Sequence, residues 1–298
     1  MLISLEEALR ALDPTTAGKL MKLVDWFRNT SAPVLVAFSG GVDSSVVLAT
    51  AVLSLGREEV TAATAASPIH TEEDLEWSRR IASALRVRHI VFETSELSDP
   101  NFTQNPADRC YFCKKHIAGS LMDIARRIGA RIVVEGTNAS DLNSYRPGLS
   151  AVREAGIRSP LAEVGLTKSE VRMVAKALGL PNWSRPPMAC LATRVPYGDL
   201  ITAEKLRRIA EAERVVRSIA NVSLVRVRDH GAIARIEVDP TERRKLFSEE
   251  VMDRIAVELR KLGYSYAALD LLGYRTGSLD EVLPKRRGEH QGSTQSQT

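Results

Sequence analysis

The chain has 298 residues, 44% hydrophobic and 26% charged, the make-up of a soluble globular protein large enough for two cores. No apolar run approaches membrane-spanning length, and the opening Met1-Leu2-Ile3-Ser4-Leu5-Glu6-Glu7 is not a signal peptide, so no membrane partner and a cytoplasmic location are expected. The 41 basic against 37 acidic residues leave a net charge of only +4, a small surplus that suits an anionic small molecule as well as RNA.

Residues 5–28 carry helical apolar spacing (Leu5, Ala8, Leu9, Leu12, then Leu20, Leu23, Val24, Phe27) broken at Pro14. Strands are predicted at 34–38, 59–66, 88–93 and 131–135, and helices near 44–55, 72–85, 113–128 and 168–178. Thr71-x-x-Asp74 and Thr167-x-x-Glu170 read as helix-start boxes. This alternation implies an α/β fold with a doubly wound, mainly parallel sheet. Ligands on such a sheet bind at the carboxyl ends of the strands. The Ser39 loop, the residues after Ala65 and the loop after Val134 share that rim. Residues 179–201, with Pro181, Pro186, Pro187, Pro196 and Gly198, mark a boundary. A helix at 202–220, strands at 222–228 and 232–238, a helix at 246–262 and a strand at 265–271 then form a smaller α+β unit. The expected division is 1–180, 181–284 and a disordered, polar tail at 285–298.

The most informative stretch is Ser39-Gly40-Gly41-Val42-Asp43-Ser44-Ser45, between two apolar runs. It reads as strand, glycine turn and helix start, and free N–H groups at a helix start attract anions. Gly40 and Gly41 let the backbone approach a phosphate, and Ser39, Ser44 and Ser45 add donors. No lysine stands where a Walker A loop carries one. The stretch resembles the pyrophosphate-binding loop of the N-type ATP pyrophosphatases, which implies cleavage of ATP between its α- and β-phosphates.

Three cysteines are an odd number for a chain expected in a reducing compartment, so chemistry is a better reading than disulfides. Cys110 and Cys113 have C-x-x-C spacing and Cys190 stands alone. A second pair, which structural zinc would call for, is missing from the sequence. An iron–sulfur cluster with one open iron, a redox pair and three ordinary small hydrophobic residues all remain open on the residues alone.

Several segments together resemble the ATP-dependent sacrificial sulfur transferases of the LarE type. They are SGGVDSS (39–45), RCYFCK (109–114), EGTNASD (135–141), RPGLSAVREAGIRSPL (146–161), MACLATRVPYG (188–198), VRVRDHGAIARIEV (225–238) and LDLLGYRTGSL (269–279). The resemblance implies an adenine nucleotide α-hydrolase-like fold and adenylation of pyridinium-3,5-biscarboxylic acid mononucleotide, using ATP and Mg²⁺. Sulfur then displaces AMP to give thiocarboxylates for a nickel-pincer cofactor. In one branch a single cysteine gives up its sulfur, and Cys190 matches that position. In the other, three cysteines hold a 4Fe–4S cluster. All three are present here, so Cys110, Cys113 and Cys190 are expected to hold that cluster.

The remaining roles are assigned on the same footing. The Ser39–Ser45 loop is expected to hold the ATP phosphates, with Asp43 at the Mg²⁺ site. Gly136, Thr137, Asn138 and Asp141 are expected to bound the nucleotide site. Arg226 and Arg228, two apart on a strand, share a face, and their guanidinium forks suit a phosphate ester. Glu237 resembles a family active-site acid, and Arg194 is expected on AMP or the substrate phosphate. A sulfide or sulfur-relay donor and a homo-oligomer are the expected partners. The competing readings are sacrificial donation by Cys190, a tRNA thiolase, an amide-forming synthetase of the GMP or NAD type, and a nucleotide-binding module without activity. No paired zinc knuckles, strongly basic face or RNA-binding module supports the thiolase.

Overall fold

Two helices, α1 (Leu5–Arg10) and α2 (Pro14–Arg28), open the computed structural model, which describes residues 3–143, 146–186, 189–275, 277–279 and 281. Asp13 caps α2 with Pro14 at its first turn, so this proline starts a helix as well as separating two. The chain continues through β1 (Val34–Ala37), α3 (Val42–Leu55), β2 (Val60–Ala66), α4 (Glu72–Leu85) and β3 (Arg88–Glu93). Next come α5 (Pro100–Thr103), α6 (Arg109–Ile128), β4 (Ile132–Val134), α7 (Gly148–Glu154), α8 (Pro160–Glu163) and α9 (Lys168–Ala177).

The four strands lie in the order β3-β2-β1-β4, and every neighbouring pair is parallel. The expected mainly parallel α/β sheet is therefore present. Its strands alternate faces. Val34 and Val36 pack into a core with α2, α3 and α9, through Leu23, Phe27, Val46 and Val174. Leu35 turns the other way, onto Leu121 and Ile124 of α6. Strand order reverses between β1 and β4, so the loop after β1 opens at the switch point where such sheets bind ligands.

Beyond residue 201 come α10 (Ala203–Ala220), β5 (Val225–His230), β6 (Ile233–Val238), α11 (Glu249–Lys261) and β7 (Tyr266–Leu269). The second sheet has the order β5-β6-β7, antiparallel and then parallel. Val225 and Val227 bury one face of β5 against Val216 of α10 and Ile255 of α11. A separate apolar cluster joins the two parts, gathering Ile69, Phe102, Cys113, Leu191, Ile201 and Ile209. No helix among the described residues is long and apolar enough to cross a membrane.

Three boundaries differ from the sequence expectation by three residues or more. Helix α6 starts at Arg109 rather than 113, on a buried arginine stacked 4.4 Å over the Tyr197 ring. Strand β5 starts at Val225 rather than 222, because the Ser223 amide and hydroxyl are drawn to Glu242 at 2.8 and 2.7 Å. Helix α11 starts at Glu249, where the Ser248 hydroxyl accepts from the Val251 amide. The expected tail at 285–298 and Met188 of the Cys190 segment lie outside the described residues.

Candidate active site

The Ser39–Ser45 loop connects β1 to α3. Gly41 sits at the N-cap of α3 without a side-chain cap bond, which leaves first-turn amides available to an anion. The serines shape the turn from within: Ser39 and Ser44 hydroxyls lie 3.1 Å apart, and Ser45 Oγ donates to the Gly41 carbonyl at 2.8 Å. Gly40 has φ +73°, and a Cβ there would stand 2.8 Å from the Ser78 amide nitrogen. Gly136, just after β4, approaches from the opposite side: a Cβ there would stand 2.7 Å from the Ser44 nitrogen.

Asp43, in the first turn of α3, accepts 2.9 Å from Asn138 Nδ2. Asn138 exchanges further bonds with Asp141, whose carboxylate pairs with Arg146 at 2.7 Å. Burial pushes the Asp43 carboxyl above its ordinary value and the Asp141 charge adds, while Asn138 and Lys168 oppose. Thr137 donates from its amide and hydroxyl to Glu135, at 3.0 and 2.8 Å. Thus Gly136, Asn138 and Asp141 border the Ser39 loop, with Thr137 between them in sequence but bonded to Glu135.

Cys113 and Cys190 meet at the junction cluster, whereas Cys110 is exposed. Cys110 and Cys113 stand one helical turn apart at the start of α6, a spacing that puts them on one face. Cys113 is buried, and Cys190 packs against the same apolar group. Burial pushes the Cys113 thiol well above the usual range, and Cys190, Glu96 and Cys110 push the same way, against Lys114. The Cys190 loop is tied down by Leu191, whose amide donates to the Ile69 carbonyl at 2.8 Å. Residues 67–74 therefore serve both halves of the site: Ile69 holds the cysteine loop, and the Asp74 carbonyl lies against Gly40. Among the described residues, no three His, Cys, Asp or Glu side chains close on one point as a mononuclear metal site requires.

A basic platform supports the cysteine loop from the C-terminal side. Arg194 is only 2% exposed. Its Nη1 donates to the Ala189 and Cys190 carbonyls at 2.7 and 2.9 Å, and Nε and Nη2 donate to Glu213 at 2.8 and 3.2 Å. The guanidinium is turned into the protein and fixes the loop. Arg226 and Arg228 share the face of β5 opposite Val225 and Val227, as alternation requires. Arg226 lies 3.9 Å from Glu213, and burial beside Arg194 lowers its pKa to about 10 against the pull of Glu213. Arg228 donates to the Thr193 carbonyl and to Glu237, both at 2.7 Å. Glu237 is fully buried, faces Arg226 across the ladder and also pairs with Arg235 at 3.2 Å. The structure thus gathers Arg194, Arg226, Arg228 and Glu237 around the Cys190 loop.

Three contributors are absent from the sequence reading. Asn182 donates to the Gly40 carbonyl and to Ser45 Oγ, both at 3.0 Å. No sequence signal marks it. Glu213 could have been found, because it is a carboxylate on the apolar stripe of α10 formed by Leu206, Ile209 and Val216. Glu96 is buried, and among the described residues the Ser67 hydroxyl is its one hydrogen-bond partner.

The asparagine synthase family model matches residues 27–139, the stretch from α2 through the Ser39 loop to Asn138. An uncharacterised protein of Synechocystis is 41% identical over 84% of this chain and 93% of its own length. The pyridinium-3,5-bisthiocarboxylic acid mononucleotide synthase of Lactiplantibacillus plantarum is 39% identical over 85% of this chain and 90% of its own length. An uncharacterised protein of Methanocaldococcus jannaschii is 30% identical over 87% of this chain and 98% of its own.

Proposed function

The chain belongs to the LarE-type family of ATP-using sulfurtransferases, and from that footing we propose that it adenylates the carboxylates of pyridinium-3,5-biscarboxylic acid mononucleotide and converts them to thiocarboxylates. The observation that carries this reading is that one connection, residues 67–74, touches both the Ser39 loop and the Cys190 loop. An acyl-adenylate formed at the first lies beside sulfur at the second.

In this reading the α3 amides and the exposed Ser39 hydroxyl hold the ATP phosphates, whereas the buried Ser44 and Ser45 hydroxyls, both donating to the Gly41 carbonyl, shape the turn instead of binding them as expected. Asp43 suits Mg²⁺: it is a hard oxygen donor, buried, with Asp141 close enough to raise its pKa. Gly136, Thr137 and Asp141 wall the nucleotide. A substrate carboxylate oxygen attacks the α-phosphorus, and the α–β bridging bond breaks to release pyrophosphate. Arg226 and Arg228 receive the substrate's phosphate ester, Glu237 holds the Arg228 fork in place with Glu213 beside Arg226, and Arg194 positions the cysteine loop.

Two thiols at the junction, Cys113 and Cys190, with Cys110 one helical turn from Cys113 and near enough to act on its charge, are soft donors that suit a 4Fe–4S cluster, whose ligands sit on separate irons and need not meet at one point. Cys110, Cys113 and Cys190 would hold it. When bound, such a cluster would supply inorganic sulfur to the adenylate.

The second reading is favoured by the contrast between thiols: Cys113 is buried and its pKa raised, whereas Cys190 is half-exposed on a loop. Here the Cys190 thiolate attacks the acyl carbon and AMP leaves. Removal of the Cys190 α-proton and cleavage of its Cβ–Sγ bond then free the thiocarboxylate and leave dehydroalanine. Anaerobic incubation with ATP, Mg²⁺ and the dicarboxylate, followed by mass spectrometry of acceptor and protein, separates the two. Sacrifice lowers the mass at Cys190 by about 34 units, the loss of H₂S. Cluster delivery leaves it unchanged and requires anaerobically purified, brown, iron-containing protein. An acceptor that gains no sulfur under either condition refutes the proposed substrate.

A further inference from the structure

We propose that Arg185 is a pyrophosphate-binding residue of the ATP site, its Nη1 donating to the β- or γ-phosphate oxygens. Arg185 is 8% exposed, and its Nη1 is buried without a hydrogen-bond partner among the described residues. Buried guanidinium N–H groups are rarely left unmade, because the desolvation cost is not recovered. The other nitrogen, Nη2, bonds Asp74 at 3.1 Å and Glu73 at 3.3 Å in the first turn of α4. The guanidinium lies 5.3 Å over the Trp77 ring.

The backbone that carries it is fixed at both ends. Arg172 of α9 donates to the Trp183 and Arg185 carbonyls, at 2.9 and 2.8 Å. Asn182, three residues earlier, bonds the phosphate loop itself through the Gly40 carbonyl and Ser45 Oγ. The Asp74 that holds Nη2 belongs to the same turn whose carbonyl abuts Gly40. One fork of the side chain is thus anchored at the edge of the phosphate loop, and the other is left with a donor and no acceptor. A phosphate oxygen is the acceptor that planar fork suits. The two carboxylates balance much of the charge, so Arg185 acts as a directed donor, and pyrophosphate can still depart.

This inference rests on the reading of Ser39–Ser45 as the ATP phosphate site, and its test needs no sulfur acceptor. Calorimetric titration of the full chain with Mg²⁺–pyrophosphate, Mg²⁺–ATP and AMP is compared for the native protein, Arg185→Met and Arg185→Lys. The expected result for Arg185→Met is a loss of roughly tenfold or more in affinity for pyrophosphate and ATP, as for a charge-assisted bond, with AMP affinity unchanged. Arg185→Lys keeps the charge without the fork and falls between. If Arg185→Met does not fold, the same ordering in Arg185→Lys carries the test. Equal losses for AMP and pyrophosphate, or no loss for either, overturn the role of Arg185. Native protein that binds neither pyrophosphate nor ATP overturns the phosphate-loop reading as well.

Discussion

Removal of Glu213 is costly in this structure, because its carboxylate is buried and shared. Its carboxylate accepts from Arg194 twice, at 2.8 and 3.2 Å, and from the Val227 amide at 3.1 Å, with Arg226 3.9 Å away. Both partners of the ion pair are almost wholly buried, at 3% and 5% exposure. Glu213→Ala leaves two buried guanidinium groups without their shared anion and strips an acceptor from a strand amide. Breaking a buried pair from one side costs about 3–5 kcal/mol. For a chain of 298 residues, that lowers the melting temperature by roughly 6–10 °C at about 2 °C per kcal/mol. The opposite substitution is milder. Arg194→Met leaves Glu213 with Arg226 and the Val227 amide, so its expected cost is smaller by about 1 kcal/mol or more. Glu213→Ala, Arg194→Met and the double variant, measured by equilibrium urea unfolding, form a cycle that isolates the pair. The double variant is expected to cost less than the sum of the singles. A Glu213→Ala cost below about 1 kcal/mol, the level of an exposed pair, or a larger loss for Arg194→Met, refutes the reasoning.

Gly136→Ala is expected to weaken ATP binding by roughly tenfold or more and to cost about 1–3 kcal/mol of stability, because the new Cβ meets the Ser44 backbone at 2.7 Å; nucleotide titration and thermal melting check both. Gly119→Ala is its counterpart: nothing lies within 4 Å of a Cβ there, and an exposed helix position gains about 0.5–1 kcal/mol. Destabilisation at Gly119 contradicts the helix assignment. Acid is expected to destabilise the fold through His70 and His89, whose pKa values burial lowers from 6.5. The unfolded chain takes up these protons first as pH falls, so stability is whole above 6.5 and is lost as pH drops toward the lower folded values. His89 bonds Thr64 Oγ1 at 2.8 Å. Urea unfolding from pH 7.5 down to 5 should show a shallower slope in a His70→Phe, His89→Gln variant, and an unchanged slope assigns the acid lability elsewhere.

What could be read in the sequence was local. The strand, turn and helix around Ser39 announce themselves because hydrophobic period, glycine and hydroxyl all fall within a dozen residues. The two boxes at Thr71 and Thr167 are true caps, each closed by its third-residue carboxylate. What escaped was set at long range. Asn182 reaches Gly40 from 142 residues away, and no pattern near it differs from an ordinary loop. The start of α6 depends on Arg109 meeting Tyr197, on the far side of Cys190. Arg194 looked like a ligand-facing cation by type and spacing. Only its burial against Glu213 shows it holding the Cys190 carbonyl.

That long-range wiring has a consequence for how the two halves of the molecule act together. The Cys190 loop is bonded on one side to Ile69, which follows a strand of the first sheet. On the other side it is bonded through Arg194 and Glu213 to α10, and through Thr193 and Arg228 to β5. Arg217 of α10 also pairs with Glu73 of α4, the residue beside Asp74 at the phosphate loop. The cysteine loop therefore takes its position from both cores at once. Rotation of the C-terminal sheet away from the first would have to break buried charge pairs, not surface contacts alone. This constraint suits the proposed reaction, because a sulfur already held in place captures an acyl-adenylate before water does.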